Sequence, residues 1–225
     1  MNLINQSVRV VYPSTPEEGI NELKRIEIAG RNCWRSEDKI TEDSYKTFIN
    51  NLRKRGHESP LEFGEIMFEF VTSRDVLAEI TRHRLASFAV ESQRYVNESK
   101  DDGGIKFIMP MFYMPYDEYY WNKVYDEGMP RNIAYEWSRE WEYAMEMAEN
   151  AYNRMITMGM RNQDARKVLP NSTACTIMMK VNIRELIHIY ALRSSPAAYP
   201  EMRELMRLLK IEVDKVLPGF LPEEE

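Results

Sequence analysis

The chain has 225 residues, 44% of them hydrophobic and 29% charged, and a net charge of −6. That length and composition suit a globular fold with a substantial core, read as one domain over residues 1–225, and the acidic balance argues against a dedicated nucleic-acid binder. Two cysteines, Cys33 and Cys175, are too few for a disulfide scaffold and predict a reducing, cytoplasmic setting. Residues 1–13 carry no basic-then-apolar leader, and no run approaches ~20 apolar residues, so neither a signal peptide nor a membrane span is expected.

Ser7–Tyr12 is rich in β-branched residues and predicts a strand, ended by Pro13. Thr15-Pro16-Glu17-Glu18 combines a capping hydroxyl, a first-turn proline and acids near the positive dipole end. It therefore opens a helix, which should run to about Cys33. A second helix is expected over Glu42–Arg53. Glu65–Val71 alternates, with Ile66, Phe68 and Phe70 on one face of a half-buried strand. Ser73 and Asp75 suit the start of a helix carrying Val76, Leu77 and Ile80. Ile105–Met109 predicts a short strand closed by Pro110. Asn132–Met158 is the clearest helix: Trp137, Trp141, Ala144, Ala148, Ala151, Met155 and Met158 recur at alternating spacings of four and three. That is one long apolar stripe, suited to a core helix or a subunit contact, with Gly159 at the C-cap. Ser172–Val181 is β-prone. Asn182–Leu192 is helical, with Ile183, Leu186, Ile187 and Tyr190 on one side and Asn182, Arg184, His188 and Arg193 largely on the other. A final helix spans about Tyr199–Leu217 before Pro218-Gly219, and the acidic end Pro222–Glu225 reads as solvated. The fifteen methionines read as adaptable core filling. Few strands, several helices and no βαβ rhythm predict an α+β fold: an antiparallel sheet flanked by helices, with one long central or interface helix.

The chemistry-bearing residues are concentrated. All three histidines, His57, His83 and His188, lie in polar-rich segments. Thr81-Arg82-His83-Arg84 is followed by Leu85-Ala86-Ser87-Phe88-Ala89-Val90-Glu91-Ser92-Gln93-Arg94-Tyr95. Guanidinium forks match phosphate and carboxylate bidentately, and short hydroxyls add donors. Composition alone leaves two readings open, an anion site for a nucleotide and a solvated basic loop.

Arg82-His83-Arg84, seven residues, then Ser92 resembles the signature of the flavin-dependent thymidylate synthases. His57-Glu58-Ser59-Pro60-Leu61-Glu62 before an aromatic strand is similar to the family's upstream segment. Ala165-Arg166-Lys167-Val168-Leu169-Pro170, then Asn182-x-Arg184 and Arg193, is similar to its downstream half. The likeness runs from about Ala29 onward, in the family's order. It implies a methyltransferase flavoprotein of nucleotide biosynthesis that converts dUMP to dTMP. Methylenetetrahydrofolate gives the carbon, FAD reduced by NADPH gives the reducing equivalents, and neither an enzyme thiolate nor a metal is needed. It also implies a homotetramer with shared active sites, and no nucleic-acid or membrane partner.

Residue by residue, the resemblance implies Arg193 as the catalytic group, held against uracil N3 and a carbonyl oxygen. It implies dUMP contacts from Glu79, Arg82, Ser92, Gln93, Arg94, Arg166 and Arg193. It implies FAD contacts from Ser59, Arg82, His83, Arg84, Asn182, Arg184 and His188, with His57 near flavin and folate. The chain has no GxGxxG, so a Rossmann mode is not indicated. Ala89 and Val90 stand where many members carry a polar residue and then Glu or Gln; Glu91 is expected to supply the dUMP-side carboxylate from a shifted loop. Glu79 replaces a common glutamine, and Phe63 a frequent histidine. Three rival readings stay open. One is a flavoprotein that has lost methylation. Another is a nucleic-acid module built on Arg82, Arg84 and Arg94 with Tyr95 as a stacking platform. The third is a methylase using Cys175 as nucleophile.

Overall fold

The protein is described by a computed structural model that covers residues 1–98, 104–113 and 131–222. In chain order the strands are β1 (Asn2–Ile4), β2 (Ser7–Tyr12), β3 (Glu65–Ser73), β4 (Ala86–Val90), β5 (Lys106–Ile108) and β6 (Ala174–Asn182). The helices are α1 (Pro16–Trp34), α2 (Ser44–Lys54), α3 (Arg74–Ile80), α4 (Arg131–Thr157), α5 (Asn162–Ala165), α6 (Ile183–Arg193) and α7 (Pro200–Val216). A four-stranded antiparallel sheet has the order β2–β3–β6–β4, flanked by helices as the α+β expectation requires. A separate two-stranded sheet pairs β1 with β5 in parallel, Leu3 opposite Phe107. Sequence patterning does not predict two of the strands, β1 and β4. The three residues of β1 are too few to show periodicity. In β4 the polar signature around it masks the alternation of small and apolar residues. None of the helices among the described residues is long and apolar enough to cross a membrane. Residues 223–225 of the acidic end lie outside the described residues.

The chain divides into two compact units. The first comprises residues 1–7, 71–80 and 90–177. Its core gathers Ile105, Phe107, Met145, Tyr152 and Ala165, with Leu3, Trp141, Met155, Val168 and Leu169 packed against them. The expected long helix is present as α4, one residue displaced at each end. Its buried line, however, follows the expected stripe only in part: Trp141, Ala148, Ala151 and Met155 are half-buried. Ala134, Ser138, Met145, Glu149 and Tyr152 are buried, whereas Trp137 and Ala144 are exposed and Met158 is 78% exposed. The physical reason is polar satisfaction. Glu149 accepts the Ile105 backbone N–H at 2.8 Å, and Ser138 donates to the Ala134 carbonyl at 2.8 Å. A satisfied polar group can therefore occupy the buried line that hydropathy alone assigns to the neighbouring apolar residues. Gly159, at φ +89°, ends the segment with the expected left-handed residue.

The second unit comprises residues 8–70, 81–89 and 178–225. Thr15 caps α1 through its hydroxyl, which accepts the Glu18 N–H at 3.2 Å. Helix α1 packs on α2, on the turn Ser59–Phe63 and on α7, and α6 packs on α7 and on that same turn. On β3, Ile66, Phe68 and Phe70 are fully buried on the expected face, and the two phenylalanine rings stack at 5.6 Å. Cross-strand ion pairs bind the sheet: Arg9–Glu69 at 3.0 Å and Lys180–Glu65 at 2.6 Å. Gly64 is required by close approach. A Cβ there would lie 2.8 Å from Ile26 and 2.9 Å from Ile183, and the Gly64 carbonyl accepts the Ile183 N–H at 2.9 Å. This contact fixes where α6 begins, and α6 carries the groups of the candidate site.

Candidate active site

Helix α6 starts at a cap. The Asn182 side-chain oxygen accepts the Glu185 N–H at 2.8 Å. The buried side of α6 holds Ile183, Glu185, Leu186, Ile189 and Tyr190; Ile189 is buried in the place expected for Ile187, and Ile187 is half-buried. Its polar residues Glu185, His188 and Arg193 converge on His83, which lies in the turn before β4. Glu185 Oε1 stands 3.4 Å from His83 Nδ1, and both residues are buried. Arg193 Nε donates to His83 Nε2 at 3.0 Å. The His188 ring sits edge-on to the His83 ring, with centroids 6.0 Å apart. A cavity of about 490 Å³ opens beside this group, lined by Arg82, His83, His188, Leu192, Arg193, Ser195, Ala197 and Ala198.

Charge and protonation follow from the geometry. An arginine Nε always carries hydrogen, so His83 Nε2 must present its lone pair and the ring proton sits on Nδ1, toward Glu185. Burial pushes the His83 pKa below the usual imidazole value, and the Arg193 cation adds to this; the Glu185 carboxylate opposes it. Neutral imidazole is thus the resting form. His83, Glu185 and His188 each offer a ligand atom within 4.8 Å of the others. The Arg193 guanidinium occupies the His83 lone pair, and its charge opposes a cation there.

The expected flavin residues fall in one unit but not in one cavity. Arg82, His83 and His188 line the cavity described above. Ser59 lines another of about 600 Å³, together with Arg25, Ile28, Cys33 and Phe63. Asn182 is occupied as a cap through its oxygen. Arg184 pairs with Glu62 at 2.6 Å and with Glu58 at 3.4 Å. Arg84 is exposed in the turn. His57 stacks on Trp34 with centroids 6.0 Å apart, in a third cavity of about 210 Å³.

The expected dUMP residues are split between the units. Arg82 and Arg193 belong to the second. Glu79, Glu91, Ser92, Gln93, Arg94 and Arg166 belong to the first. There, Asn162 donates to the Tyr95 carbonyl at 3.4 Å, which ties the Ser92–Tyr95 turn to the segment that bears Arg166. Arg94 lies over the Tyr95 ring at 5.6 Å. Gln93 is buried, and its side-chain nitrogen has no partner among the described residues. Glu91 is not on a loose loop: its carboxylate accepts the Thr176 N–H at 3.1 Å, and its own N–H donates to the Thr176 carbonyl at 2.9 Å. Sequence reasoning misses Glu185 altogether. The only signal is its place three residues after Asn182, which reads as capping and not as a partner for a distant histidine.

Residues 4–219 match the profile of a family described as thymidylate synthase complementing protein. The flavin-dependent thymidylate synthase of Geobacter sulfurreducens is 30% identical over 196 residues, 82% of this chain and 76% of its own. The enzyme of that name from Pyrococcus abyssi is 29% identical over 92% of this chain and 78% of its own. This chain belongs to the flavin-dependent thymidylate synthase family. Among solved structures, the UMP/dUMP methylase PolB of Streptomyces cacaoi, bound with 5-Br dUMP, is 25% identical. Its TM-score is 0.73, over 98% of this chain and 95% of that one. Thymidylate synthase X of Helicobacter pylori, solved with FAD and dUMP, shares the fold at a TM-score of 0.68. Of the two cysteines, expected as small buried residues, only Cys175 is buried; Cys33, near the end of α1, is exposed. Cys175 is buried, and burial pushes its thiol up to about 11, so it holds no nucleophilic thiolate near neutrality. That counts against the Cys175 methylase reading, which full activity in Cys175→Ala would remove.

Proposed function

We propose that the protein carries out the reductive methylation of dUMP to dTMP, with Arg193 as the catalytic residue. The observation that carries this is the Arg193 guanidinium, held by a buried neutral imidazole at the edge of a cavity lined also by Arg82 and His188. Uracil C5 is a weak nucleophile. A fixed cation against the ring's N3–carbonyl edge stabilises negative charge as it develops there and favours attack from C5. Held in place beforehand, it needs no reorganisation during the reaction. The donor set fits a flavin nucleotide bound without a glycine-rich turn. Arg82, Arg84 and Arg184 match phosphate and ring acceptors, and His83 and His188 add imidazole contacts. Bound FAD, reduced by NADPH, would supply the reducing equivalents, and methylenetetrahydrofolate the carbon. Arg184 would exchange its exposed carboxylate partners for the ligand. Ser92, Arg94 and Arg166 would hold the dUMP phosphate, and Gln93, with its buried unpartnered amide nitrogen, would donate to the nucleotide.

The family profile's span supports reading residues 1–225 as one synthase domain. Exposed apolar residues along α4, Tyr143 at 61% and Met147 at 44%, support a subunit contact on this helix, such as a homotetramer would need. Two free cysteines support a cytoplasmic setting.

The purified protein should be yellow or should load with FAD. Its NADPH oxidation should be stimulated by dUMP, and dTMP should form once methylenetetrahydrofolate is added. A protein that cannot be loaded with FAD refutes the proposal, and a yellow protein that never forms dTMP shows a flavoprotein without methylation. The likeness to the UMP/dUMP methylase favours a second reading, in which UMP is also methylated. Competition between UMP and dUMP in the same assay decides it.

A further inference from the structure

We propose that Glu185 and His83 are positioning residues for Arg193: Glu185 fixes His83 as the Nδ1–H tautomer, and the Nε2 lone pair of that ring fixes the Arg193 side chain at the cavity edge. The inference rests on the reading of Arg193 as catalytic. Three observations carry it. Glu185 and His83 are both buried, with the carboxylate 3.4 Å from Nδ1. The Arg193 Nε–H donates to Nε2 at 3.0 Å. Glu185 is itself anchored, because its N–H is the one that Asn182 caps.

An imidazole between a carboxylate and a guanidinium has one tautomer that satisfies both neighbours. The other aims two N–H groups at each other across the Arg193 contact and leaves a buried carboxylate facing a lone pair. Glu185 and Arg193 therefore select the same ring proton, and Glu185, by accepting it, holds the ring where its lone pair meets the guanidinium. His83 accepts the Nε–H of Arg193; the Nη groups are further donors in the same planar fork, and fixing Nε fixes their plane. Side chains lean toward a helix N-terminus, so Arg193, at the end of α6, reaches back over the turn that bears His188, toward Glu185. This gives the central histidine of the signature a task besides any contact with flavin: it joins the signature to the catalytic arginine.

The arrangement also predicts a pH signature. The titratable and charged groups facing the His83 ring, among the described residues, are Glu185, His188 and Arg193 of α6, with Arg82 of its own turn lining the same cavity. Protonation of His83 removes the lone pair that holds Arg193, so catalysis should fall on the acid side as His83 takes up its proton. Glu185 is the group that raises the His83 pKa. Removing its charge while keeping its acceptor should let His83 stay neutral to lower pH.

The test compares wild type, Glu185→Gln, Glu185→Leu and Arg193→Gln as full chains loaded with FAD. It follows dTMP formation against pH and NADPH oxidation without dUMP. Imidazole 15N resonances are followed in the same chains with and without FAD, where only three histidines contribute. Glu185→Leu should lower kcat for dTMP formation on the order of tenfold to a hundredfold, as expected for a misplaced catalytic group. Its His83 should lose the pure Nδ1–H signature. Glu185→Gln, whose amide oxygen still accepts, should recover most of kcat and the tautomer, and its acid limb should move to lower pH. A wild-type kcat in Glu185→Leu, or an acid limb in Glu185→Gln that stays in place, overturns the proposal. If Glu185→Leu does not fold, the Glu185→Gln limb decides alone. Arg193→Gln separates the two layers. If it still makes dTMP, the catalytic reading of Arg193 fails; if it is dead while Glu185→Leu behaves as wild type, only the positioning role fails.

Discussion

Asn182 has two tasks that one substitution series can separate. Its side-chain oxygen accepts the Glu185 N–H at 2.8 Å and so caps α6, and its amide nitrogen is the group left to donate to a flavin. Replacing a capping Asn by Ala costs about 1 kcal/mol. For a chain of this size that corresponds to a fall in Tm of roughly 2–4 °C. Asn182→Asp keeps the acceptor and places a negative charge at the positive end of the helix dipole, so its Tm should match wild type. It removes the amide donor, however, and should weaken FAD binding. Thermal unfolding of the FAD-free chain, beside FAD titration by fluorescence, reads the two effects separately. The reasoning fails if Asn182→Ala melts with wild type, or if Asn182→Asp is destabilised as much as Asn182→Ala.

Three further outcomes are expected. Glu91→Ala should lower stability in urea unfolding by about 1 kcal/mol, because the Thr176 N–H loses its acceptor, while Glu91→Gln, which keeps an oxygen there, should stay near wild type; unchanged dUMP affinity in both would show that Glu91 serves β6 and not the substrate. Native protein treated with iodoacetamide should be alkylated at exposed Cys33 and not at Cys175, and Cys175→Ala should keep dTMP formation; mass spectrometry and the methylation assay check each. The third outcome concerns pH. His83 is held below its ordinary value of 6.5, chiefly by burial, so the unfolded chain binds this proton more readily than the folded one. Stability owed to His83 is then complete above pH ~6.5 and is lost as pH falls below it toward the folded value. Urea unfolding across that range should show a shallower fall in His83→Gln, and equal slopes would contradict the assignment.

Much of this protein is legible in its amino-acid order. The capping hydroxyl and proline at Thr15-Pro16, the alternation of Ile66, Phe68 and Phe70, and the polar face of α6 are local signals, set by neighbours within a few residues. The spacing from Arg82 to Ser92 is enough to indicate the family. Other features are not local. The buried line of α4 depends on which polar groups find partners, and Glu149 finds Ile105, 44 residues away. β1 forms only because β5 pairs with it, and three residues cannot announce such a pairing. Glu91 reads as a loop carboxylate in the sequence, yet in the fold Thr176, 85 positions away, comes within 3.1 Å of it.

The candidate site divides in the same way. Sequence determined the residue types, since arginine and histidine in that order can do only a limited set of things with a nucleotide. It did not determine what holds them. Arg193 and His83 are 110 positions apart, and their contact exists because Gly64 lets α6 start against β3 and because α6 then carries Glu185, His188 and Arg193 past a single turn. Glu185 acquires its meaning only there. In sequence it is an acid in the first turn of a helix, where the dipole favours any carboxylate. In the folded chain it is the buried charge that orients the His83 ring, because removing water from a carboxylate and an imidazole 3.4 Å apart makes their mutual orientation matter.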